Sequence, residues 1–205
     1  MQLNDMLKRC PLIAILRDIT ADEVIPIAEV LVESGFLCLE IPLNTPEALV
    51  SIELLQKRFT QQIIIGASTV VYPQQVIEAA QAGAKIIISP HSDPKVIATA
   101  KEIGLTCIAG FSTPTEALAA LAAGADGLNI FPAPIPSLLK SIKTVLPTHI
   151  PIIAVGGITP ESMVHYIHAG ADGFGIGKHL YQAGDAPQLV KQNAKIFYDS
   201  IRALS

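Results

Sequence analysis

The 205-residue chain has no tryptophan, and its aromatic side chains amount to only 5%. Stacking platforms for single-stranded bases are therefore scarce. A basic excess is missing too: 14 Lys and Arg stand against 18 Asp and Glu, for a net charge of −4. Such a chain offers a nucleic-acid backbone no positive field. No apolar run reaches the ~18 uncharged residues that a membrane span needs. The opening Met1-Gln2-Leu3-Asn4-Asp5 has no basic stretch leading into an apolar one. No signal peptide is expected, and the expected compartment is the cytoplasm. Cysteines are few and odd in number: Cys10, Cys38 and Cys107, each in apolar surroundings. They read as reduced core thiols, not as a disulfide frame or a zinc site. Charged residues make up 16% and hydrophobic residues 50%. That balance excludes general disorder and supplies a full core. One domain over residues 1–205 is expected.

What the chain does have is a repeat. Short apolar runs alternate with longer amphipathic stretches. The runs are Leu12–Leu16, Leu37–Ile41, Ile63–Ile65, Ile86–Ile88, Thr106–Ala109, Gly127–Ile130, Ile152–Val155 and Gly173–Ile176. Between them stand helix-start signals. Thr20-Ala21-Asp22-Glu23 and Thr113-Pro114-Thr115-Glu116 resemble capping boxes, and Pro160 takes the first helical position after Thr159. Gly35, Gly83, Gly104, Gly124 and Gly170 stand just before the runs, as C-caps that turn a helix into the next strand. Their spacing marks one βα unit of roughly 20–26 residues. Near-continuous apolar strands alternating with helices mean a parallel sheet covered by helices. The fold class is thus α/β, and eight equal units predict a closed (β/α)8 TIM barrel.

Chemistry in such barrels sits at the C-terminal ends of the strands. Gly156-Gly157 follows the seventh run, and Gly175-Ile176-Gly177-Lys178 closes the eighth. These loops expose backbone amides at helix N-termini and read as a phosphate site; the alternative is that the glycines merely permit tight turns. Glu40 stands in the apolar run Leu37-Cys38-Leu39-Glu40-Ile41. Burial would raise its pKa and suit it to general acid/base work. Arg17, at the end of the neighbouring run, would either bind a substrate carboxylate or form an ion pair with Glu40. His91 would be catalytic or, on a loop after Ser-Pro, simply a surface or capping residue. His165 and His168 are three apart on a helix without a third metal ligand. Phe111 and Phe131 would line a pocket mouth or simply pack.

Five stretches carry a family resemblance: Pro11-Leu12-Ile13-Ala14-Ile15-Leu16-Arg17, Glu40-Ile41-Pro42-Leu43-Asn44-Thr45-Pro46, Ile65-Gly66-Ala67-Ser68-Thr69-Val70, Ile130-Phe131-Pro132-Ala133 and Ala154-Val155-Gly156-Gly157-Ile158-Thr159-Pro160. Over nearly its whole length the chain resembles the 2-keto-3-deoxy-6-phosphogluconate aldolases, and Asn44 resembles the phosphogalactonate branch, where gluconate-type members carry Arg. The resemblance implies a homotrimeric class I aldolase that needs no cofactor. It implies cleavage of a phosphorylated keto-deoxy sugar acid to pyruvate and glyceraldehyde 3-phosphate through a lysine Schiff base. It implies Glu40 as the proton carrier, Arg17 and Thr69 on the pyruvyl carboxylate, and Asn44, Pro90 and Phe131 around the substrate. Gly156, Gly157, Gly175, Gly177 and Lys178 would hold the phosphate.

The chain departs from that pattern in Leu128-Asn129-Ile130-Phe131-Pro132. Asn129 occupies the position of the family's Schiff-base lysine, and an amide nitrogen is not a nucleophile. Ser68 stands where Gly is usual, the loop after Pro132 is short, and Lys178 replaces a small residue. Three outcomes are open. The chain retains an intact sugar-acid site around a substituted residue; Lys178 takes over the imine; or the protein is a binding protein or an isomerase/epimerase that uses Glu40 as base.

Overall fold

Alternation at period two decides which side chains face the centre of the molecule. The structure, a computed structural model, describes residues 2–204. In chain order its elements are α1 (Leu3–Arg9), β1 (Leu12–Ile15), α2 (Ala21–Glu33), β2 (Cys38–Pro42), α3 (Ala48–Phe59), β3 (Ile64–Ser68), α4 (Pro73–Gln81), β4 (Ile86–Ile88), α5 (Pro94–Glu102), β5 (Thr106–Phe111), α6 (Pro114–Ala122), β6 (Gly127–Ile130), α7 (Pro136–Lys143), β7 (Ile152–Val155), α8 (Pro160–His168), β8 (Gly173–Ile176) and α9 (Pro187–Arg202). Consecutive strands pair in parallel and β8 returns to β1, which closes the sheet into the expected barrel.

Local chemistry sets the joints. Thr20 with Glu23 and Thr113 with Glu116 form the capping boxes that start α2 and α6. Thr159 caps α8 with Ser162 as its reciprocal partner. From α4 to α9, each helix begins with proline, whose missing N–H is one that the first turn leaves unbonded anyway. At the far ends, Gly83, Gly104, Gly124 and Gly170 adopt positive φ between 77° and 102°.

Two apolar layers result. Ile13, Cys38, Ile64, Ile86, Ile88, Ile108 and Ile153 fill the barrel itself. Leu12, Ala14, Leu39, Ile41, Ile65, Ala67, Ile87 and Leu128 point outward beneath the helices. Helix α1, which the run pattern does not reveal, closes the N-terminal end by adding Leu3, Met6 and Leu7 to the inner layer.

Two strands are longer than their apolar runs. β3 continues to Ser68 and β5 to Phe111, so Gly66–Ser68 and Gly110–Phe111 are strand rather than loop. Gly, Ala and Ser are weak strand formers, but the ladder carries them, with Glu40 opposite Gly66 and Pro42 opposite Ser68. Among the described residues, no helix is long and apolar enough to cross a membrane.

Candidate functional site

The inward rung above the isoleucine layer is polar. Two residues on from Cys38 comes Glu40, beyond Gly66 comes Ser68, and beyond Gly127 comes Asn129. Glu40, Ser68 and Asn129 are each 3–4% exposed. They line a cavity of about 160 Å³ with Arg17, Thr69, Ser89, Pro90 and Phe131, over a floor and walls that include Ile13, Ile88, Ile108 and Ile153. Period-two counting from the core isoleucines would have placed Ser68 here from sequence, yet the short run Ile63–Ile65 hid it.

Glu40 is the electrostatic centre of this cavity. Burial among apolar side chains pushes its pKa up to about 8, against the opposing pull of the Ser68 hydroxyl and the Arg17 charge. The Ser68 hydroxyl stands near enough to favour the ionised carboxyl, but it makes no hydrogen bond of good geometry and is buried without a partner. Such a group costs about 1–3 kcal/mol.

Arg17 is not held in an ion pair with Glu40. Its Nη1 donates to Asn44 Oδ1 at 2.9 Å, while the neighbouring Asp18 N–H donates to Thr45 Oγ1 at 3.0 Å. These two bonds tie the loop after β1 to the loop after β2. Asn44 therefore reaches the site through Arg17 and lines neither of its cavities. Thr69 has φ 57°, a left-handed conformation that is rare for a β-branched residue. Strain of that kind costs of order 1–3 kcal/mol and clusters at functional positions.

Asn129 donates from Nδ2 to the Ser89 carbonyl at 2.9 Å. The Ser89 hydroxyl shares a 2.7 Å hydrogen bond with His91 Nδ1, so His91 is tied to the cavity wall rather than free on the surface. Phe131 is 43% exposed and stands at the cavity mouth, whereas Phe111 is buried core.

The inner cavity opens into an outer one of about 590 Å³, and the two share Ile15, Arg17, Phe131, Val155 and Gly175. The outer wall holds Gly156, Gly157, Gly177, Lys178 and His179. Gly156 and Gly157 have φ of 111° and 69°, and they lead into the capped start of α8. The eighth loop differs from its expected form. No full helix follows Gly177. A single turn does, with Leu180 and Tyr181 N–H donating to the Gly177 carbonyl, and α9 begins only at Pro187. Gly175 lies within β8, where a Cβ would stand 2.9 Å from Val155 Cγ2. It shapes the wall and does not act as a loop residue. Lys178 is exposed and lines the outer cavity only. Among the described residues, no group of three His, Cys, Asp or Glu side chains is arranged to hold a metal ion.

The family model described as KDPG and KHG aldolase matches residues 3–194. The chain is 41% identical to the 2-dehydro-3-deoxy-6-phosphogalactonate aldolase of Escherichia coli, over 95% of this chain and 96% of that one. It is 42% identical to a probable aldolase of the same name from Rhizobium meliloti, over 90% and 88%. A solved structure titled "Native KDPGal structure" superposes with a TM-score of 0.93 at 41% identity, covering 95% of this chain and 96% of that one. The closed parallel barrel is thus shared with a solved relative, and the chain belongs to the KDPG and KHG aldolase family.

Proposed function

We propose that the two joined cavities bind a phosphorylated 2-keto-3-deoxy sugar acid of the galactonate type, the substrate that the family cleaves to pyruvate and glyceraldehyde 3-phosphate. The keto-acid end lies in the inner cavity. Arg17 and Thr69 hold its carboxylate, Pro90 and Phe131 flank it, and Asn44 keeps Arg17 aimed. The phosphate lies in the outer cavity on the amides of Gly156, Gly157 and Gly177, with Gly175 shaping the passage and Lys178 supplying the charge. Glu40 moves the proton. The observation that carries this reading is the Glu40 carboxyl, poised at about 8 in a cavity that opens past Arg17 onto the glycine loops. On the same resemblance we propose a cytoplasmic homotrimer.

Asn129 favours a second reading of the chemistry. Class I cleavage needs an amine to form the imine that takes up the electron pair. Asn129 offers an amide in that position, and Glu40 and Arg17 are the ionisable residues of the inner cavity wall. The site then binds the sugar acid without breaking the carbon–carbon bond, either as a binding protein or as an isomerase or epimerase that exchanges protons through Glu40.

Thermal unfolding with added ligand tests the first reading. The 2-keto-3-deoxy-6-phosphogalactonate ester is expected to raise the melting temperature more than its gluconate epimer, and pyruvate release in the same mixtures reports cleavage. Equal stabilisation by unrelated phosphate monoesters would refute the assignment. Deuterium uptake at the ligand carbon next to the keto group, without pyruvate release, would select the second reading.

A further inference from the structure

The inner wall carries one polar group that the proposed function leaves unused. Ser68 ends β3 with its hydroxyl buried and unpartnered, and it lines the inner cavity. Its register partners are Pro42 on one side and Ile88 on the other. The inward rung beneath it is Gly66, the register partner of Glu40. Gly66 has no side chain, and a Cβ there would stand 3.4 Å from Glu40 Cβ. Glu40 and Ser68 line the same inner cavity. The hydroxyl favours the ionised form of the Glu40 carboxyl, which requires the two groups to be neighbours. A buried hydroxyl without a partner is rare and marks a bond that something else completes.

We propose that Ser68 is a positioning and proton-carrying residue whose hydroxyl bridges the Glu40 carboxyl and an oxygen of the bound keto acid. In the transfer, the Glu40 O–H bond breaks and its proton passes to Ser68 Oγ. Ser68 gives its own proton to the ligand oxygen. Glu40 ends as a carboxylate, Ser68 is regenerated, and one O–H bond is gained by the ligand. The link to the ligand rests on the keto-acid reading above; the contact between Ser68 and Glu40 does not. Arg17 faces Glu40 from the end of β1, and Cys38 neighbours it on β2. Strands β4 to β8 contribute no ionisable side chain to the inner cavity wall.

The test is a carbon-detected NMR titration of the Glu40 carboxyl in the full chain, as wild type, Ser68→Ala and Ser68→Thr, with and without pyruvate. Ser68→Ala is expected to raise the Glu40 midpoint by about half a pH unit or more. Ser68→Thr, which keeps the hydroxyl, is expected to hold it near the wild-type value. Pyruvate affinity is expected to fall about fivefold or more in the alanine variant and to recover with threonine. Amide spectra that overlay on the wild type establish that each variant is folded. An unchanged midpoint in Ser68→Ala would overturn the proposal whatever pyruvate does. A shifted midpoint with no pyruvate binding in any form would support the Ser68–Glu40 contact and overturn the link to the ligand together with the keto-acid reading.

Discussion

Asn129 and Ser89 are joined across the barrel interior by a 2.9 Å hydrogen bond from the Asn129 Nδ2 to the Ser89 carbonyl. The bond spends one amide N–H on the wall and holds the side chain against β4. At this position the cavity has a neutral, non-nucleophilic group, and Glu40 alone among its lining residues is buried and ionisable.

Glu40 makes stability depend on pH in an unusual direction. Its pKa is about 8 in the folded chain against 4.5 unfolded. Between those values the unfolded chain has released the proton and the folded chain still holds it, so stability falls as pH rises. The melting temperature is expected to drop from about pH 5 to pH 8 and to drop less in Glu40→Gln. Equal slopes for the two proteins, by calorimetry across that window, would refute a buried neutral carboxyl.

Thr69 separates strain from function. Glycine adopts φ 57° without penalty. Thr69→Gly is therefore expected to leave stability unchanged or raise it by up to about 1 kcal/mol. Loss of the hydroxyl is expected to weaken pyruvate binding about tenfold, as read by calorimetric titration.

Two glycines measure how tightly the barrel is packed. A Cβ at Gly66 would stand 2.7 Å from the Ile86 Cγ2, a side-chain atom. At Gly110 it would meet the Pro90 carbonyl carbon at 2.2 Å and the His91 nitrogen at 2.7 Å, both backbone. Gly66→Ala is expected to cost about 1–3 kcal/mol in urea unfolding. Gly110→Ala is expected to cost more, because the lip that carries Pro90 and His91 has to move.

Lys178 tests the division of the site into two ends. Lys178→Met is expected to weaken phosphorylated sugar-acid binding about tenfold and to flatten its salt dependence. Pyruvate, which has no phosphate, is expected to lose less. Equal losses for both ligands would contradict the proposed orientation.

The barrel was legible because its units repeat. Capping boxes, C-cap glycines and apolar runs recur at one spacing, and each has a local cause. Helix α1 was not legible as part of the barrel. Its Leu3, Met6 and Leu7 have helical spacing, but only the open end of a closed sheet gives them something to cover. Glu40 stood out because a carboxylate in an apolar run is costly. Ser68 did not stand out, since a serine among Gly and Ala reads as a turn until the β2–β3 register puts it on the cavity wall. That the turn after Gly177 leads into no helix is not legible either, because a Gly-x-Gly pattern does not distinguish one turn from many. The choice between an Arg17–Glu40 pair and an Arg17 held elsewhere depended on Asn44, 27 residues away in sequence.

The central claim is a sugar-acid site in which position 129 forms no imine. Incubation with pyruvate and borohydride, followed by intact mass and peptide mapping, tests it most directly on the wild type and Asn129→Lys. The account predicts no adduct on the wild type, and a reduced pyruvyl adduct at position 129 in the variant, with sugar-acid cleavage gained at the same time. An adduct on Lys178 of the wild type, or an Asn129→Lys variant that folds and binds pyruvate yet forms none, would contradict it.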